Sequence, residues 1–350
     1  MRSYQVVDFG APLVEAEAPT PKPQGAEALL EVVAAGVCHS DLHIWEGGYD
    51  LGRGKRLSLK DRGINLPLTM GHETAGRVVA LGPDAKGVAI GRTYLVYPWI
   101  GCGQCAVCRR GDENLCAAPN CLGIHRHGGY ADHILAPDPK YLIDLDGLDP
   151  AAMAPFACSG LTAFSALKKV AAGLNETPLV IIGAGGLGLI CLQILKALGG
   201  KGAIVADIDP IKREAAKKNG ALAAIDPRAP DALAQLTAAN GGPVMAAIDF
   251  VGSEETSGLA FAALGRGGKL VMVGLFGGAA GWSLPLIPIK AASILGSYVG
   301  NLAELRELVD LVRAGKVEPL PVTRCALHEA GQTLTDLRAG RFIGRAVLTP

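Results

Sequence analysis

Four cysteines share one short stretch, Cys102-x2-Cys105-x2-Cys108-x7-Cys116. Four thiolates at this spacing suit tetrahedral Zn²⁺ with Zn–S of about 2.3 Å, and a closed four-thiolate site is structural rather than catalytic. An iron–sulfur centre uses similar runs, and four reduced surface thiols are the bland reading. A second pattern, Gly183-Ala184-Gly185-Gly186-Leu187-Gly188, matches G-x-G-x-x-G. Among 47 glycines in 350 residues such a string arises easily by chance, so its context must carry it. It follows the apolar run Leu179–Ile182, opens an apolar periodic segment, and has Asp207 19 residues after Gly188, where about 20 is expected of a dinucleotide fingerprint. The first glycine permits the tight turn and the second lets backbone approach a pyrophosphate. The third lets helix and strand pack closely, with the helix N-terminus facing the phosphates. Asp207 would accept hydrogen bonds from ribose hydroxyls and repel a 2′-phosphate, which favours NAD over NADP. A glycine-rich core turn beside a solvated aspartate is the alternative.

These motifs need elements to position them. From about residue 160 the sequence alternates strand and helix. Strands are expected at Leu179–Ile182, Ala203–Ala206, Ala223–Ile225, Ala246–Val251 and Lys269–Val273. Helices are expected at Gly186–Leu198, Ile211–Asn219, Ala229–Ala239 and Glu254–Leu264, with one more at Ala303–Ala314. That alternation predicts an α/β doubly wound parallel sheet. Residues 1 to about 159 read differently: turn-rich, with β-like runs such as Ala28–Val33 and Arg77–Ala80, and holding most of the Cys and His. The expected organisation is a β-rich domain over 1–159, a nucleotide-binding domain over 160–298, and a return to the first domain over 299–350.

Composition bounds the function. At about 100–200 residues per domain, 350 residues suggest two. Lys+Arg and Asp+Glu both number 33, without the basic excess that nucleic-acid binding or a polybasic membrane anchor requires. Hydrophobic residues at 49% and charged residues at 19% exclude intrinsic disorder. The opening MRSYQVVDFG has no apolar run or cleavage pattern, so no secretory signal is expected. Leu179–Leu195 is broken by glycines and falls short of the about 20 apolar residues that span a bilayer. Clustered cysteines point to metal in a reducing cytoplasm rather than to a disulfide scaffold.

Three further segments are unremarkable singly: Gly36-Val37-Cys38-His39-Ser40-Asp41-Leu42-His43, Gly71-His72-Glu73, and Cys158 within PFACSGLTAF. Together with the two motifs above, and in this order, they give the chain a resemblance to zinc-dependent alcohol dehydrogenases of the medium-chain dehydrogenase/reductase superfamily. The resemblance runs from Cys38 to the closing GRAVLTP. It implies a Rossmann domain beside a β-rich GroES-like catalytic domain, two Zn²⁺ per subunit and NAD(H). It assigns Cys38, His72 and Cys158 to a catalytic zinc, the Cys₂His set of alcohol dehydrogenases, and Cys102, Cys105, Cys108 and Cys116 to a structural one. Glu73 resembles the family's glutamate near the metal, and Asp41 the carboxylate that orients the histidine ligand. Ser40 and His43 match a proton relay. His39 and Arg345 resemble pyrophosphate contacts, and Lys212 would assist Asp207. Thr162 and the backbone at Val273, Ser297 and Val299 resemble nicotinamide neighbours, while Trp45 and Trp99 fall near substrate-pocket positions.

The implied reaction interconverts alcohols with aldehydes or ketones. Zinc lowers the pKa of bound water from about 15.7 to about 7, and a bound alcohol responds similarly, so hydride leaves a zinc-bound alkoxide for the nicotinamide. Cys158 disfavours the polyol branch, which places glutamate there, and Asp207 argues against NADP-linked cinnamyl-type reductases. A non-catalytic zinc and NAD sensor is the rival from another class, although it has no need of Ser40 and His43. Cys38 and His72 lie 34 residues apart, more than expected, with the excess in residues 47–67: a lid, an interface loop, or idle surface. His125, His127 and His133 read as solvated loop histidines, and Cys121, Cys191 and Cys325 as ordinary thiols. GSYVGN, residues 296–301, resembles tetrameric microbial members, which favours a homotetramer over a homodimer.

Overall fold

Two sheets organise the chain, and the computed structural model describes all 350 residues, Met1–Pro350. The first is a six-stranded parallel sheet. Its spatial order is Ala223–Ile225, Ala203–Ala206, Leu179–Ile182, Val244–Asp249, Leu264–Met272 and Ser293–Gly296. Numbered along the chain this is 3-2-1-4-5-6, the doubly wound Rossmann order, with its ligand crevice at the C-terminal ends of the strands. Every residue of Leu179–Ile182 is buried, as a run of β-branched and leucyl side chains requires when helices cover both faces. Successive side chains alternate between two apolar layers. Ile181 joins the larger core of 73 buried residues, whereas Val180 and Ile182 join a separate cluster of 13 under the helices Ala232–Asn240 and Glu254–Ala263.

The second sheet has seven strands. Leu142–Asp144, Thr93–Val96, Glu73–Leu81, Ala28–Val37, Arg345–Thr349 and Val322–Ala326 lie side by side, and His133–Ala136 also pairs with Ala28–Val37. The last two strands of the path come from the C-terminal end of the chain. Arg345–Thr349 runs antiparallel to Ala28–Val37, which carries Arg345 into the neighbourhood of Cys38. The larger core continues from this sheet through the helix Ser159–Lys169 to the helix Gly186–Ala197 of the nucleotide-binding half. No single helix is long and apolar enough to cross a membrane.

Most expected elements are present within a few residues. The helix expected from Ala229 begins instead at Ala232, after Asp231, because Pro230 disfavours helical backbone just before it. The runs Ala28–Val33 and Arg77–Ala80 are parts of longer strands, Ala28–Val37 and Glu73–Leu81. Their extensions, Ala34-Ala35-Gly36 and Glu73-Thr74-Ala75, have weak strand propensity but pair with each other, Gly36 opposite Glu73. A Cβ at Gly36 would stand 2.1 Å from Glu73 Oε2. The small residues therefore make room for that carboxylate.

Candidate active site

Pairing of Gly36 with Glu73 brings Cys38, at the end of one strand, beside His72, at the start of the other. Cys38 also caps the helix His39–Glu46, whose Asp41 carboxylate accepts from the Cys38 N–H at 2.9 Å. Gly47, at φ +78°, closes that helix. Cys158 precedes the helix Ser159–Lys169. Both thiols thus sit at helix N-termini, where backbone N–H groups and the macrodipole favour thiolate.

The two sulfurs are 4.0 Å apart, and tetrahedral ligands at 2.3 Å from a shared Zn²⁺ would be about 3.8 Å apart. Cys38, His72, Glu73 and Cys158 place their ligand atoms within 4.8 Å of one another, all four residues buried. His72 Nδ1 lies 3.1 Å from Asp41 Oδ1, and Asp41 Oδ2 also accepts from Tyr130 Oη at 3.0 Å. This fixes the imidazole and leaves His72 Nε2 buried without a partner. An orphaned ring nitrogen facing two thiols fits a zinc site. The hydrogen bond from Cys158 holds the Cys38 thiol well below its ordinary range against the cost of burial, while the same bond and burial push Cys158 up.

Glu73 has commitments the sequence did not reveal. One oxygen accepts from the Ser159 N–H at 3.3 Å and the other pairs with Arg345. Burial raises its carboxyl to about 7 against the field of Arg345. Arg345 is buried too, with its stem against the glycine loop: a Cβ at Gly186 would stand 2.5 Å from Arg345 Cδ.

The second cysteine set is equally well gathered. Cys105 Sγ lies 3.4 Å from Cys108 and 3.8 Å from Cys116, and Cys102 lies 4.0 Å from Cys108. Backbone N–H groups of Gln104 and Cys105 bring the Cys102 thiol down to about 6. These distances fit a tetrahedral four-thiolate zinc. Asn114, inside the same loop, donates to Tyr298 O at 3.0 Å, which ties the lobe to the cleft.

The glycine loop has the shape its pattern implies. Gly183 has φ +96°, and a Cβ at Gly188 would stand 1.9 Å from Gly183 O. At Gly185 a Cβ would meet nothing within 4 Å, which leaves open space where a pyrophosphate would lie. Asp207 Oδ2 accepts from the Ala184 N–H at 2.7 Å and Oδ1 from the Asp209 N–H at 2.9 Å. It therefore braces the loop through one carboxylate oxygen and its own turn through the other. The charge of Lys212 reaches His39 across the crevice.

A cleft opens over Cys38 and Cys158. His39, Ser40 and His43 line its helix side, with Trp99 nearby. Thr162, Leu187, Val273, Ser297 and Val299 line the side toward the parallel sheet. Val299 has φ +44°, a costly conformation for a β-branched residue of the kind that clusters at ligand sites. Burial lowers the pKa of His43, whose ring lies 4.8 Å from that of Tyr49.

Trp45 is a correction, because it does not line the cleft. Its Nε1 donates to Ala11 O at 2.6 Å and Arg338 stacks on its ring at 5.2 Å. At about 100° per residue, Trp45 is roughly 140° around the helix from Ser40. Residues 47–67 are not idle surface. They form the hairpin Gly48–Gly52/Lys55–Ser58 and a short turn, and Tyr49, Leu59, Arg62 and Ile64 line the cleft. Gly52 packs against Gly278 and Ala279, so the hairpin bridges to the nucleotide-binding half. The turn-forming Gly52-Arg53-Gly54 was the available signal for this hairpin, since its flanks carry little strand propensity. The three histidines form no cluster. His125 accepts from the Cys121 N–H and lines the cleft, His127 accepts from the Thr69 N–H, and His133 pairs with Asp132.

Residues 24–146 match the alcohol dehydrogenase GroES-like domain family, and residues 186–314 match the zinc-binding dehydrogenase family. The chain is 39% identical over 353 residues to an NAD-dependent alcohol dehydrogenase of Saccharolobus solfataricus, covering 100% of both chains. It is 38% identical over 351 residues to one of Sulfurisphaera tokodaii, again with 100% of both covered. The alcohol dehydrogenase of the archaeon Aeropyrum pernix aligns in structure with a TM-score of 0.90 at 31% identity, 100% of both chains covered.

Proposed function

Because the chain belongs to the zinc-containing alcohol dehydrogenases of the medium-chain dehydrogenase/reductase superfamily, we propose that Cys38, His72 and Cys158 hold its catalytic zinc and that the cleft above them receives the alcohol. The enzyme is an NAD-dependent oxidoreductase acting on alcohols, and zinc is its metal. The observation that carries the site assignment is His72 Nε2, buried and unpartnered beside two sulfurs 4.0 Å apart. When bound, zinc supplies Lewis acidity toward the substrate oxygen and NAD supplies the hydride acceptor.

The chain's own residues do the rest. Asp41 keeps the His72 tautomer and orientation fixed. Ser40 Oγ stands at the substrate end of the proton relay, giving up its own proton as it takes that of the alcohol, and His43 stands at the solvent end. Burial keeps His43 neutral, and therefore able to accept, to lower pH than a free imidazole. Thr162, Val273, Ser297 and Val299 shape the wall against which the nicotinamide packs, and the glycine loop, His39, Lys212 and Asp207 bind the remainder of the dinucleotide. Cys102, Cys105, Cys108 and Cys116 hold a structural zinc. Glu73 and Arg345 support the floor of the metal site.

The test is NADH formation with primary, secondary, aromatic and cyclic alcohols, for wild type and Cys38→Ser. Failure of the wild type with every alcohol would retire this reading in favour of a sensor.

Domain boundaries at about 159 and 298 are supported by the two sheets. Self-association as a homotetramer, or a homodimer, is supported by the parallel sheet's edge strand Ser293–Gly296 and by nearby exposed Phe276, Leu284 and Ile289. Sedimentation tests it. Nine free cysteines, six of them in the two metal sets, support a reducing cytoplasm.

A further inference from the structure

We propose that Arg62 selects alcohols carrying a carboxylate at the end remote from the reacting hydroxyl. The proposal rests on the reading of the cleft as the alcohol site. Arg62 belongs to a turn pinned on both sides: Leu59 and Ile64 are 1% and 4% exposed. The Arg62 and Ile64 N–H groups both bond to Leu59 O, at 3.1 and 3.2 Å. Gly63, at φ +78°, then reverses the chain. The backbone is held, and the side chain lines both the inner cleft and the outer vestibule beside it.

Among the residues lining the inner cleft, Arg62 is the one with a permanent charge. The exposed Arg62 side chain shares the inner cleft with Ile64, Leu275 and Tyr298, and Asp50 lines the outer vestibule without pairing with it. No carboxylate of the protein pairs with it, whereas Arg92 in the same domain pairs with Asp144 and Asp146. Its field reaches Tyr49, His125 and Tyr298, on three different segments of the wall. A guanidinium so placed offers a planar fork of donors that matches a carboxylate bidentately. A purely aliphatic chain leaves that fork unused. No lysine or second arginine lines the cleft, so one anionic charge is matched and the second charge of a phosphomonoester is not. The substrate class is therefore an ω-hydroxycarboxylate, or the corresponding aldehyde acid in reduction.

The experiment compares kcat/KM for ω-hydroxycarboxylates of increasing chain length with 1-alkanols of equal carbon number, in wild type, Arg62→Leu and Arg62→Glu. In wild type the carboxylate-to-alkanol ratio should reach about 10-fold at one preferred length, the scale of a hydrogen bond to a charged group, and fall with added salt. Arg62→Leu should bring the ratio to about one, and Arg62→Glu should invert it. Calorimetric titration of the NADH complex with adipamate and hexanamide gives a readout free of turnover, and the same order should hold in Kd. Equal ratios in wild type and Arg62→Leu, or no carboxylate preference at any length while alkanols turn over, overturns the role of Arg62 alone. Failure of all the alcohols overturns the alcohol-site reading and this proposal with it.

Discussion

Asp41→Asn is the most informative single change, because three donors converge on that carboxylate. Cys38 N–H and Tyr130 Oη reach Oδ2 at 2.9 and 3.0 Å, and His72 Nδ1 reaches Oδ1 at 3.1 Å. Asparagine keeps the shape but has one accepting oxygen. If the amide nitrogen faces His72, Nδ1 must accept, the ring proton moves to Nε2, and the nitrogen that should bind metal is blocked. If it faces Cys38 instead, that buried N–H loses its acceptor at a cost of about 1–3 kcal/mol. The chain takes whichever is cheaper, and both cost. Losing such an orienting partner typically lowers metal affinity by about 10–100-fold, which is about 1.4–2.7 kcal/mol. Competition with a graded zinc chelator measures the affinity at the buried site, with zinc in the cysteine lobe as the internal reference. Urea unfolding of the metal-free protein separates the folding cost from the binding cost. Zinc affinity within twofold of wild type, with unchanged unfolding, would refute the orienting role assigned to Asp41.

Three more outcomes are expected. Wild type should hold two zinc per subunit; Cys38→Ser should keep one and lose turnover, whereas Cys105→Ser should destabilise the lobe and, through Asn114 and Tyr298, raise KM; elemental analysis finding one zinc in loaded wild type contradicts this. Asp207→Gly should raise NADP use while weakening NAD binding, since the Ala184 N–H also loses its acceptor; wild type that uses both cofactors equally would sink that reading of Asp207. His43→Gln should slow oxidation within about 10²–10⁴-fold, the range of general acid–base groups, most near neutral pH. Burial lowers the His43 pKa, so its imidazole already accepts protons there. The deficit should shrink toward pH of about 10 as hydroxide replaces it, and a mutant-to-wild-type ratio that stays flat with pH would exclude the relay.

Local sequence determined what local physics controls. The 3-2-1-4-5-6 sheet was legible because its strands are buried on both faces and read as short apolar runs between periodic helices. The glycine loop and the four-cysteine lobe were legible because each closes within a few residues, so spacing alone constrains geometry. Cys38, His72 and Cys158 were different: singly they carry no signal, and only their order beside the other motifs pointed to a shared site. Their convergence is a tertiary fact, set by the pairing of Gly36 with Glu73 and by the position of Cys158 at a helix N-terminus. The pairing of Arg345 with Glu73, across 272 residues of sequence, and the bond from Ala184 to Asp207 were equally invisible. Trp45 and the hairpin at residues 48–58 mark the same boundary. Which face of a helix meets the cleft, and whether an inserted hairpin folds over it or away, is decided by packing against distant elements. No nearby residue encodes that choice.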